Sequence, residues 1–204
     1  MAQEPKESSR VLARFRVMLW ALVAIVAVGA TGLYFIRPPA NPLGVTGTAF
    51  SAETTDGARF TEADLRGTPS LVFFGFTWCP DVCPTSLAEM TAIRADLGYS
   101  PDQLRIIFAT VDPERDTPQV LADYLGTFDP TIVGLTGTEA EVEATKAAFG
   151  VYSEKGEDDG SGTYLVDHTA SVFLIGADGG FAGTIAYTES RDTARAKVER
   201  LVEG

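Results

Sequence analysis

The sequence predicts an α/β domain, a central mixed sheet with helices on both faces, preceded by one apolar helix near the N-terminus. Two observations carry this. Apolar runs alternate with amphipathic stretches through the middle of the chain, and a hairpin plus a helix then finish it. Upstream, no charged residue occurs from 17 to 36.

That uncharged span of 20 residues matches the length a helix needs to cross a bilayer. Lys6, Arg10, Arg14 and Arg16 precede it against Glu4 and Glu7, so the positive-inside rule keeps the N-terminus cytoplasmic. The expected organisation is a cytoplasmic tail over 1–16, a transmembrane anchor over 17–36, a linker over 37–47 marked by Pro38, Pro39, Pro42 and Gly44, and a folded domain over 48–204. This makes a single-pass protein of the inner membrane with its domain on the periplasmic side. A cleavable signal peptide is the competing reading, with Ala27, Gly29 and Ala30 as a cut site. Its apolar region is usually only about 7–15 residues. The span here is longer and ends in the bulky Leu33, Tyr34, Phe35 and Ile36, which favours an anchor.

Charge divides at the same boundary. Residues 1–37 hold five Lys/Arg and two Asp/Glu, whereas 38–204 hold 11 and 26, within a total of −12. A domain this acidic is a poor partner for nucleic acid or for an anionic lipid surface.

Each element has its own signal. Within 48–65, Asp56-Gly57 reads as a hairpin turn between two short strands,. Residues 71–76 (LVFFGF) form a buried strand, and a helix from Pro84 to about Leu97 places Leu87, Met90, Ile93 and Leu97 on one apolar stripe, with Arg94 at the same spacing but outside it,. A second buried strand covers 104–111, and Thr117-Pro118 caps and opens a helix to about Phe128,. After a short apolar run at 132–135, Thr138 and Glu141 form a capping-box pattern for a helix to about Phe149,. Residues 150–163 read as an acidic loop or a long hairpin tip. The chain ends with strands over 171–175 and 181–187 joined at Asp178-Gly179-Gly180, then a helix over 190–202,.

Both cysteines of the chain, Cys79 and Cys83, fall where the 71–76 strand hands over to a helix. Pro84 suits the first helical position, which puts Cys83 near the N-cap and Cys79 in the preceding loop. The partial positive charge of a helix start favours thiolates, the form that binds soft metals and attacks disulfides. A structural disulfide between residues this close would staple little of the fold, so function explains the pair better than structure does. Met90 is a soft donor, but its place on the apolar stripe makes it core.

His168 is the only histidine in the chain. If its loop faces the Cys79/Cys83 turn, two sulfurs and one imidazole converge. Such a set selects Cu, Zn or Fe over Mg or Ca. Cu(I) accepts three soft ligands, whereas structural zinc normally takes a fourth, and the chain has no further Cys or His,. Asp112 is a candidate outer-shell carboxylate or simply part of a turn, and Asp116-Thr117 reads as part of a helix cap. Asp81 reads as solvated, and Asp167 points away from its neighbour His168 in extended backbone. The pair also permits a second function, thiol–disulfide exchange with Cys79 and Cys83 as the catalytic redox couple and no metal. A peroxide-reducing site is disfavoured, because Phe76 and Pro80 stand where a Thr-x-x-Cys arrangement needs threonine.

Four blocks, FGFTWCPDVCP at 74–84, VDPERDTP at 111–118, GLTG at 134–137 and DHT at 167–169, resemble the Sco/SenC family in matching order over about residues 48–200. Gly176-Ala177-Asp178-Gly179 and Thr68 depart from it, both outside the motif residues. The resemblance implies a thioredoxin-like fold and a copper-binding assembly factor for cytochrome c oxidase. Its metal ligands would be Cys79, Cys83 and His168, carrying Cu(I) or Cu(II). The implied partners are the CuA-bearing oxidase subunit, which receives copper or has its cysteines reduced, together with other copper chaperones or thiol reductants.

Overall fold

The computed structural model describes residues 6–36, 43–157 and 163–204. The chain divides into two compact units, 1–41 and 42–204. In the first, helix α1 (Lys6–Ile36) contains an apolar stretch, Val11–Gly32, long enough to cross a membrane. Val11, Phe15, Trp20 and Ile25 are all exposed along it. The helix begins upstream of the uncharged span because arginine is a good helix former and does not interrupt it.

The second unit is built on a seven-stranded sheet. Its strands are β1 (Ser51–Thr54), β2 (Arg59–Thr61), β3 (Ser70–Gly75), β4 (Arg105–Thr110), β5 (Val133–Thr136), β8 (Val172–Ile175) and β9 (Phe181–Ile185), in the order β2-β1-β5-β4-β3-β8-β9. Strands β3, β4 and β5 pair in parallel, and the remaining pairs are antiparallel. The parallel pairs follow from the crossover helices α2 (Val82–Asp96) and α3 (Pro118–Gly126), which carry the chain back before each next strand,. Helix α4 (Glu139–Phe149) follows β5, and α5 (Arg191–Glu203) closes the chain. A separate antiparallel pair joins β6 (Ser153–Lys155) to β7 (Val166–His168) across the stretch read as an acidic loop or a long hairpin tip, of which 158–162 lie outside the described residues.

Aromatic packing defines the two faces of the sheet. On one, Phe73 packs on Phe108, and Phe108 on Tyr124 of α3. On the other, Phe74 and Phe173 pack on Phe149 of α4. Every residue of β3 is buried, because this central strand is covered on both faces. Met90 is 2 % exposed and belongs to the core.

Several local expectations change. Residues 62–65 form a 3₁₀ turn rather than strand, held by Asp64 accepting from the Thr61 N–H and hydroxyl at 2.8 Å each. Residues 43–46, expected as linker, are tied to the domain: Gly44 N–H donates to Gly179 O at 2.9 Å, and Thr46 N–H to Ala148 O at 3.0 Å. Helix α3 stops at Gly126, short of Phe128. Helix α2 starts at Val82, so Pro84 is its third residue and Cys83 its second. Proline is tolerated there because the first four N–H groups of a helix have no intrahelical acceptor. The cap expected at Thr117 and the capping box expected at Thr138 form as read, and Ser190, where no cap was read, also accepts from the Thr193 N–H.

Arg94, expected outside the apolar stripe, is buried. Its guanidinium donates to Asp129 at 2.6 Å, to Thr131 Oγ1 at 2.8 Å and to the Leu104 carbonyl at 3.3 Å. A buried charge is tolerated when every polar atom it meets is satisfied. Replacing Arg94 with Met keeps the volume and strips the donors, so the domain is expected to lose about 1.5–3 kcal/mol. Urea denaturation of the two proteins measures this.

Candidate metal centre

The centre lies at the C-terminal end of β3. Beyond Gly75 the chain turns sharply, with Cys79 N–H donating to Phe76 O at 3.2 Å, and enters α2 at Val82. A buried carboxylate holds this turn. Asp116 Oδ2 accepts the Thr77 N–H at 3.1 Å and the Thr110 hydroxyl at 2.6 Å, while Oδ1 accepts the Thr77 hydroxyl at 2.5 Å. Burial raises its pKa even so, against the opposing effect of these donors.

His168 arrives from the other side, as the last residue of β7. Its ring stands edge-on between Phe73 and Phe76, with centroids 6.0 and 5.8 Å away and interplanar angles of 83° and 89°. Nδ1 lies 3.1 Å from the Thr169 carbonyl. A carbonyl only accepts, so Nδ1 carries the proton and Nε2 presents its lone pair as an acceptor. Nε2 sits 3.4 Å from Cys83 Sγ.

Cys79 Sγ, Cys83 Sγ and a His168 ring nitrogen all lie within 4.8 Å of one another. Both thiols are free. The sulfurs are not equivalent. Cys79 is half-buried and accepts the Cys83 backbone N–H at 3.4 Å, one of the helix-start donors left without an intrahelical partner,. Cys83 is fully buried. Burial, and then Cys79 beside it, pushes its thiol well above the usual range. The expectation that the helix terminus makes both sulfurs thiolates therefore fails for Cys83, where desolvation outweighs the terminus. Burial also pulls His168 below the usual imidazole range.

The sequence candidates separate clearly. Asp112 is buried, and its carboxylate is committed to Arg115 Nε and to the Tyr164 hydroxyl at 2.8 Å. Asp81 is exposed at the N-cap of α2 and makes no side-chain cap bond. Asp167 is exposed on β7, while the next side chain, His168, is half-buried. Sequence reading missed Asp116 as the anchor of the cysteine loop, since Asp-Thr-Pro already reads as a helix cap. It also missed Arg115, whose guanidinium lies 3.5 Å from the centre of the Tyr164 ring and 5.6 Å from that of the exposed Trp78.

A model of the SCO1/SenC family matches residues 39–203. The chain belongs to the SCO1/SenC family. Among curated SCO relatives, the human mitochondrial SCO1 homolog is 44% identical over 138 residues, covering 66% of this chain and 46% of the relative. The chain thus spans about half the length of that protein. A SCO2-like protein of Rickettsia felis is 37% identical over 172 residues, covering 78% of this chain and 84% of the relative. Among solved structures, Bradyrhizobium japonicum ScoI with copper bound is 38% identical at a TM-score of 0.68, covering 75% of this chain and 97% of that one. Yeast Sco1 with copper bound is 34% identical at 0.68, covering 76% and 87%. The domain has the thioredoxin-like fold of these Sco neighbours.

Because the folded state holds His168 neutral, acid must charge a buried imidazole. The unfolded chain takes up that proton near pH 6.5 and the folded chain only at lower pH,. This contribution to stability is present above about pH 6.5 and is lost as the pH falls through the folded-state pKa. His168→Gln is expected to flatten that part of the metal-free stability profile, measured by urea midpoints between about pH 7 and 4.5.

Proposed function

We propose that this chain is a membrane-anchored copper chaperone that holds one copper ion on Cys79, Cys83 and His168 and helps metallate the CuA centre of cytochrome c oxidase. The convergence of two sulfurs and one imidazole within 4.8 Å carries the reading. Two soft thiolates and a neutral nitrogen suit Cu(I) in three-fold coordination. The chain contains no further Cys or His to complete a structural zinc site,. The buried carboxylate that holds the cysteine loop, Asp116, already accepts from Thr77 and Thr110.

The unequal sulfurs suit delivery. Cys83 is the one fully buried donor, while Cys79, on a loop, and His168 are half-buried. An incoming thiolate or imidazole of the acceptor displaces Cys79 first, and ligand exchange then proceeds one bond at a time. Family membership supports the acceptor, since Sco proteins are cytochrome c oxidase assembly factors. The apolar helix supports a location beside a membrane-embedded partner, with the N-terminus cytoplasmic, 17–36 as the anchor and the domain periplasmic. Other copper chaperones and thiol reductants are the expected donors of metal and electrons.

Copper loading needs both thiols reduced, which links this reading to redox chemistry on the same pair. Thiol–disulfide reduction of the CuA cysteines is the alternative function. It requires Cys79 and Cys83 but not His168.

Anaerobic titration of the full-length protein in detergent is expected to show about one equivalent of Cu(I) bound, with binding weakened by His168→Ala and abolished by either Cys→Ser. Undiminished binding by His168→Ala would sink the three-ligand site. Because Cys83 is a thiol before loading, copper displaces its proton. The apparent affinity is therefore expected to rise with pH, by about tenfold per unit for each proton released, which competition with a Cu(I) chelator measures. In a deletion strain, the wild-type gene is expected to restore oxidase activity and His168→Ala to fail. Full rescue by His168→Ala would favour the reductase.

A further inference from the structure

We propose that Gly75 is a positioning residue for the metal centre: the missing side chain at this point of β3 sets where Cys83 Sγ lies against His168. The inference rests on the copper reading above. A Cβ at Gly75 would stand 2.6 Å from Cys83 Sγ and 3.0 and 3.1 Å from the Phe108 ring. Its φ is outside the left-handed region, so any residue could adopt this backbone. What the position excludes is volume.

The neighbours have little room to yield. Phe108 is fully buried, with Phe73 and Tyr124 each packed 6.1 Å away between ring centres. Cys83 is the second residue of α2, and its one side-chain torsion is restricted by the helical backbone. Ordinary contact between heavy atoms needs about 3.5–4.0 Å, so an added methyl forces Sγ away by about 1 Å. It does so by turning the side chain or by lifting the first turn of α2. A productive site tolerates only about 0.5 Å. Since Sγ is 3.4 Å from His168 Nε2, either relief spoils the juxtaposition that makes the site.

Crowding alone does not explain such an effect, and the fold supplies a matched control. A Cβ at Gly134, on β5, would stand 2.6 Å from Thr55 Cγ2 and 2.7 Å from Leu125 Cδ1. The clash is as severe, but none of the three ligand side chains is among its nearest neighbours.

The test compares Gly75→Ala, Gly134→Ala and the double variant Gly75→Ala/Phe108→Leu, all full length in detergent, with two readouts. The first is Cu(I) affinity by chelator competition. Gly75→Ala is expected to lose about 10–100-fold, and Gly134→Ala to keep wild-type affinity although its urea midpoint also falls. The second needs no metal: the single histidine gives one Nε2 resonance in ¹⁵N-histidine-labelled protein, expected to shift in Gly75→Ala and not in Gly134→Ala. The double variant removes the ring contact and keeps the sulfur contact, so it is expected to stay defective. It also replaces Gly75→Ala if that variant does not fold. Wild-type affinity and resonance in Gly75→Ala, or their recovery in the double variant, would overturn the role of Gly75. A wild-type protein that binds no Cu(I) would instead overturn the copper reading, and the metal-free resonance would still judge Gly75.

Discussion

The centre depends on one buried carboxylate. Asp116 is fully buried, a costly place for a charge unless its oxygens are filled. It accepts from the Thr77 backbone, the Thr77 hydroxyl and the Thr110 hydroxyl, and its own carbonyl accepts the Thr136 hydroxyl at 2.9 Å. The ends of β4 and β5 and the loop carrying Cys79 are thereby drawn to one point. Asp116 supplies the side-chain hydrogen bonds that hold Thr77 at the start of the loop between β3 and α2.

On that frame the three soft donors occupy unequal ground. Cys83 rests in the space left by Gly75 and is desolvated enough to stay a thiol. Cys79 sits higher, with the helix-start N–H of Cys83 directed at its sulfur. His168 is held perpendicular to two phenylalanine rings and bonded to the Thr169 carbonyl, which together fix its orientation and tautomer. The arrangement buries one sulfur fully and leaves the other sulfur and the imidazole half-buried.

Arg115 belongs to the same wall. It pairs with Asp112 while stacking on Tyr164, and its guanidinium also faces Phe76 and Trp78 on the cysteine loop. The charged residues of the VDPERDTP block therefore act at two places. Asp116 holds the loop through hydrogen bonds, and Arg115 packs against its aromatic side chains, joining it to the segment that leads into β7.

Much of this was legible in the amino-acid sequence because it is local. Periodicity marks strands and helices, caps mark helix starts at Thr117 and Thr138, and an uncharged run marks α1. The four motif blocks name the family and point to Cys79, Cys83 and His168. Other features were not legible, since their causes lie between distant segments. Asp116 looks like a cap until Thr77 is brought beneath it from 39 positions away. Arg94 looks like a polar interruption until Asp129 and Thr131 meet it, and Gly75 looks like one small residue in an apolar run. The sequence by itself thus determined the elements, the family and the identity of the donor side chains, because each is written in neighbouring residues. Only the tertiary structure decided which sulfur is buried, which imidazole nitrogen faces that sulfur and what holds the loop, because burial and proximity are set by where the folded strands place their ends.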